Sequence, residues 1–163
     1  MFTMNNISKF KYLIFFIFSL NISSAEVGFD TTYDEFTDEE SHQLTILSDD
    51  GLSGISIFCE TEWFNFLIIA EGMNMYGDTA EVKLRFDKEP TITREMDLFR
   101  GQSVFTQSPV FIKSFLDGFG SSNKLIVKIG NQDTIMFSGY SGVGKSEAEK
   151  FRRAANKNKD CKM

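Results

Sequence analysis

From residue 42 onward, apolar residues recur mostly at every second position, the period of strands with one buried face. Residues 42–47 (His-Gln-Leu-Thr-Ile-Leu) alternate and stop at Asp49-Asp50-Gly51, a turn signal. Residues 52–59 predict a second strand with Ile55, Ile57 and Cys59 on one face. Residues 63–70 are apolar at successive positions, which predicts a central strand covered on both sides. Gly72 and Gly77-Asp78 bracket a loop. Residues 80–87 then alternate, with Val82, Leu84 and Phe86 inward and the charges outward. Short strands are expected at 91–96, 103–106, 124–129 and 134–137, the last two joined by a turn at Gly130-Asn131.

Two segments break the alternation. Ser108 suits a helix N-cap, Pro109 the first helical position and Gly118 the position just past the end. Val110, Phe111, Phe115 and Leu116 give that helix its apolar face. A second helix is expected over about 147–158. Residues 26–40 are acidic and polar, follow neither period, and read as a flexible leader that joins an edge strand at most near its end. The pattern predicts a mainly β domain: an antiparallel β-sandwich or partly open barrel with two peripheral helices.

The first 25 residues add a compartment. Lys9 and Lys11 precede the apolar run Tyr12–Phe18, and small residues follow to Ser23-Ser24-Ala25. This is the layout of a secretory signal peptide, with cleavage expected between Ala25 and Glu26. The run is too short to span a bilayer, which takes roughly 20 apolar residues. Cleavage leaves 138 residues, a single-domain length, and moves the formal charge from −6 to −8. An acidic chain is a poor ligand for a phosphate backbone, so nucleic acid is excluded as a partner. In an oxidising compartment Cys59 and Cys161 are expected to form one disulfide. No C-x-x-C redox pair is present.

One motif suggests other chemistry. Residues 139–146, Gly-Tyr-Ser-Gly-Val-Gly-Lys-Ser, match G-x-x-x-x-G-K-[ST], the phosphate-binding loop. Three features oppose that reading. Only 17 residues follow Ser146, leaving no later strand to carry a metal-binding acid. The preceding strands form hairpins, whereas nucleotide-binding sheets are parallel. Nucleotides are also scarce outside the cytoplasm. The alternative is a capping box in which Ser146 caps the last helix, Glu149 reaches back, and Lys145 is an exposed charge. No nucleotide or other cofactor is therefore expected.

His42 is the only histidine and reads as a surface residue near a strand start. No calcium-loop spacing appears among the acids, so no metal site is expected. Most of the 18 Phe residues should be core. Trp63 and Tyr76, near loop ends, are candidates for a partner-facing patch. Arg85 is an outward-facing candidate beside Asp87, suited to pairing with a carboxylate on a neighbouring strand.

Taken in order, these elements resemble the exported accessory proteins of the VasI/TagO type, associated with type VI secretion clusters. The matching features are a strand ending in cysteine (Ile55-Ser56-Ile57-Phe58-Cys59), the Tyr76-Gly77-Asp78 loop and residues 82–87 (Val-Lys-Leu-Arg-Phe-Asp). Ser103-Val104-Phe105, a helix, residues 124–129 and Phe137-Ser138-Gly139-Tyr140 follow. A final helix carries Arg153-Ala154-Ala155 before a terminal cysteine, so the resemblance spans about 44–161. Two departures are a longer turn at Ser141–Lys145 and a spacer at 156–160. The resemblance implies a bonded cysteine pair and no known catalytic residues. It implies a non-enzymatic, periplasmic or secreted accessory protein that binds a cell-envelope protein or glycan. Two other readings carry less support: an inhibitor of a secreted hydrolase such as a lysozyme, which an acidic surface would suit, and a carboxylate-based hydrolase.

Overall fold

The computed structural model describes residues 24–60, 63–158 and 161. Residues 1–23, which hold the apolar run of the expected export signal, lie outside the described residues. Among the described residues, nine strands form one antiparallel sheet with two helices, so the mainly β expectation holds. The strands are β1 (Glu26–Asp34), β2 (Glu39–Leu47), β3 (Gly54–Glu60), β4 (Trp63–Ile69), β5 (Thr79–Phe86), β6 (Ile92–Phe99), β7 (Ser103–Thr106), β8 (Lys124–Ile129) and β9 (Ile135–Ser138). The helices are α1 (Pro109–Ser121) and α2 (Ser141–Ala155). The order across the sheet is β1-β2-β3-β4-β7-β6-β5-β8-β9.

The sheet curls without closing into a barrel. Its outermost strands approach at one point, where the Ala25 N–H donates to Ser138 O at 2.8 Å. Asp49, in the β2–β3 turn, reinforces the junction. Its carboxylate accepts from the Ser138 N–H at 2.7 Å and from Ser138 Oγ at 2.6 Å. Asp49, which the sequence assigns to a tight turn, thus also ties the ends of the sheet together.

Alternation decides which face is buried. Leu44, Ile57, Phe66, Val104, Leu84, Val127 and Phe137 all point to the side covered by the helices. α1 inserts Phe111, Ile112, Phe115, Leu116 and Phe119, a stripe at helical spacing. Phe115 lies at the centre of an aromatic array, 4.7 Å from Phe66, 5.6 Å from Phe86 and 5.9 Å from Phe119 between ring centroids. α2 adds Phe151, which meets Phe64 and Phe29. Arg152 donates to Asp117 at 2.6 Å and ties the two helices together.

The helix boundaries differ from expectation for packing reasons. Ser108 does cap α1, accepting from the Phe111 N–H at 3.3 Å. The helix then continues through Gly118, because that residue lies against a ring: a Cβ there would sit 2.5 Å from Phe86 Cε2. α2 begins at Ser141, about two turns earlier than the charge pattern suggests. The segment read as a lengthened turn, 141–145, is therefore its first turn.

The acidic segment also departs from the flexible-leader reading. Residues 26–34 form β1, paired along its whole length with β2. Val27 and Phe29 pack on the core, which anchors the strand from its first residues. β4 is central, as expected, but only one of its faces is covered, since Ile69 is half exposed on the other.

Candidate interaction surface

The disulfide joins Cys59 at the end of β3 to Cys161 beyond α2, with S–S 2.08 Å and Cα–Cα 5.8 Å. Both cysteines are fully buried. The bond fixes the end of α2 against the strand whose partner position is His42. His42 is not the surface residue its position suggests. It points inward, is only 5% exposed, and its Nδ1 lies 3.1 Å from Thr31 Oγ1. Among the described residues, no group of three or more His, Cys, Asp or Glu side chains gathers where a metal could be held.

The phosphate-loop motif is helical from Ser141 onward. The Gly144 N–H, which would face a phosphate in a binding loop, donates instead to Tyr140 O at 2.6 Å. Ser146 lies in the second turn of α2 and caps nothing, which corrects the capping-box expectation. Lys145 is exposed, as expected. Gly144 is required by packing: a Cβ there would meet Tyr140 Cδ2 at 2.8 Å and the Phe119 ring at 3.1 Å. Tyr140 and Phe119 stack at 4.4 Å, and Tyr140 Oη shares a 2.8 Å hydrogen bond with Ser122 Oγ. Burial drives the Tyr140 phenol far above its ordinary pKa, so it stays protonated at any working pH.

Gly142 and Gly144 therefore make a matched pair. Gly142 faces open space. Gly142→Ala is expected to stabilise by about 0.5–1 kcal/mol through helix propensity. Gly144→Ala is expected to destabilise by about 1–3 kcal/mol through overpacking. Urea unfolding of the two variants beside the wild type checks both signs. A phosphate loop would instead show both substitutions abolishing nucleotide binding.

The three residues singled out for partner binding are not brought together. Trp63 opens β4, and its side chain lies outside the described residues. Tyr76 follows β4, beyond its far end. Arg85 lies near the end of β5, about 20 Å from the Tyr76 loop along that strand at roughly 3.3 Å per residue. Arg85 is exposed and makes no ion pair among the described residues. Asp87 does not serve it. Its carboxylate accepts the backbone N–H groups of Asn123 and Lys124.

Tyr76 has neighbours that the sequence does not reveal. It is 91% exposed on a loop held at both flanks. The Met75 N–H donates to Gly101 O at 3.0 Å, and the Leu98 N–H donates to Asp78 O at 2.8 Å. Gly101 has φ +67°, and a Cβ there would sit 2.5 Å from Met75 O, so only glycine fits this approach. The contact sets Tyr76 beside the β6–β7 turn, where the Arg100 guanidinium lies 5.1 Å from the centre of the Phe99 ring. Phe99 is half exposed and faces Ser103, which in turn faces Ile69 on β4. From Ile69 the apolar surface runs into a groove of about 290 Å³ walled by Leu47, Leu52, Phe58 and Leu67. The outer face of β2–β4 and the β6–β7 turn thus carry one aromatic, arginine and aliphatic surface.

Comparison with protein-family models, with curated proteins and with solved structures finds no match. The class that the coordinates define is a disulfide-bonded, antiparallel β domain with two covering helices. Among its described residues, no helix is long and apolar enough to cross a membrane.

Proposed function

We propose that this is an exported binding or accessory protein of the cell envelope, without catalytic activity, that docks a protein partner through Tyr76, Phe99, Arg100 and the adjoining groove. The carrying observation is the buttressed Tyr76 loop beside the Arg100–Phe99 pair. Tyr and Arg on a rigid support are the residue types that dominate binding energy, because they bury much area and lose little conformational freedom. The buried cystine supports export, since such bonds form and persist outside the reducing cytoplasm. The resemblance to VasI/TagO-type proteins supports a partner in or beside a type VI secretion assembly. Cleavage between Ala25 and Glu26 would remove the Ala25–Ser138 bond and leave the Asp49–Ser138 bonds at the junction of the sheet edges.

The test is retention of envelope extract on immobilised, oxidised protein. The wild type should hold a specific protein, and Tyr76→Ala combined with Phe99→Ala should weaken retention at least tenfold while the unfolding midpoint is unchanged. Equal retention by the double variant would remove this surface from the account. Retention of purified glycan alone would favour a glycan partner instead.

A further inference from the structure

The β1–β2 hairpin is longer than the sheet it belongs to. β2 pairs with β3 only from His42 onward, whereas β1 and β2 remain paired through Thr32–Ser41, Tyr33–Glu40 and Asp34–Glu39. A two-stranded arm therefore projects past the body, and apart from half-buried Ser41 its residues are exposed on both faces. Isolated two-stranded ribbons are marginal in water. This one has an ordered tip. The Asp34 carboxylate accepts the Phe36 N–H at 2.7 Å, the Asp38 N–H donates to Asp34 O at 2.9 Å, and Tyr33 Oη donates to Asp38 Oδ1 at 2.6 Å. The tip holds Phe36 wholly in solvent, 100% exposed. Asp34, Glu35, Asp38, Glu39 and Glu40 surround it, and no Lys or Arg occurs from Glu26 to Ser41.

The same molecule carries the complement. On the outer face of β5 and β8, Lys83 stands directly opposite Lys128, and Arg85 stands opposite Ile126. Lys124 is the next outward residue on β8. Like charges placed directly across a strand pair are destabilising, so Lys83 opposite Lys128 costs stability unless an anion offsets it. Lys83 is paired with Glu81 at 2.8 Å, but Arg85, Lys124 and Lys128 have no ion pair among the described residues. Beside them Met136, opposite Ile126 on β9, is 48% exposed and provides an apolar floor.

We infer that the ribbon of one copy seats on the β5–β8 stripe of a second copy, with Phe36 against Met136 and Ile126 and the tip carboxylates among Arg85, Lys124 and Lys128. The smallest closed arrangement is a reciprocal pair in which both ribbons are seated. This contact is separate from the Tyr76 surface and does not depend on the function proposed for it.

Sedimentation equilibrium of the oxidised protein tests it. Twice the monomer mass is expected at low ionic strength. Dissociation is expected at about 0.5 M salt, where the screening length falls well below 10 Å. Phe36→Ser and Arg85→Glu, both at exposed positions, should each weaken association at least tenfold, with unfolding midpoints unchanged at about 0.5 M salt, where the wild type is a monomer too. A mixture of the two variants should recover a pair, because one supplies an intact ribbon and the other an intact stripe. A monomer at every concentration in low salt would overturn the inference. So would association that survives both substitutions, or a mixture that fails to pair.

Discussion

Replacing Cys59 and Cys161 together by Ala is expected to lower the folding free energy by about 4–5 kcal/mol, the chain-entropy value for a closed loop of about 100 residues. The cystine joins residues 102 apart, so it removes much of the freedom of the unfolded chain. Domains of this size are stable by about 5–15 kcal/mol, so the loss is a large share of the total. The native structure gives a second reason to expect a large effect. Without the cross-link, the end of α2 keeps the packing of Ala148, Phe151 and Ala155 and the Arg152–Asp117 pair, but loses its covalent tie to β3. Urea unfolding with and without reductant measures the difference. The reduced wild type and the double variant should unfold at the same, much lower, midpoint. A loss under about 1 kcal/mol would show that α2 is held by packing alone.

Phe115→Ala carries the second largest expected effect, about 3–5 kcal/mol. Phe115 is almost fully buried and touches rings from β4, β5 and two further positions on α1. Its removal leaves a cavity bounded by the sheet on one side and the rest of α1 on the other. Neither can close inward without breaking the register of β4 or β5. The loss should therefore include the cavity cost as well as the transfer cost. Chemical denaturation reads it directly. Phe115→Leu, which refills much of the space, should recover most of the loss. If Phe115→Ala costs no more than an exposed substitution, the aromatic array is not the centre of the core.

Much of the fold is legible in the sequence wherever one face of an element is buried and the other is wet. β8 spans Lys124–Ile129 and β7 spans Ser103–Thr106, the limits the alternation implies. Where that contrast vanishes, the sequence carries no period to read. Residues Asp30 to Asp34 of β1 have both faces in solvent, so they carry no period and resemble a disordered acidic tail. The start of α2 is hidden for a different reason. Gly142 and Gly144 read as loop residues, yet Gly144 is small because the Tyr140 and Phe119 rings occupy the space its side chain would need.

The interaction surface is the least legible part. Tyr76 stands out because it sits in a glycine-flanked loop. Phe99 and Ile69 do not, because a Phe or Ile in a strand is ordinarily core, and only the register shows which face each one occupies. Arg100 is joined to Tyr76 by a backbone contact at Gly101, across a separation that no local pattern encodes.

Export and oxidation are tested together by the intact mass of the protein recovered from its own cells under non-reducing conditions. The expected result is a chain that begins at Glu26 and is lighter by two hydrogens, with no thiol open to alkylation until reductant is added. A full-length chain that begins at Met1 with two free thiols would contradict it.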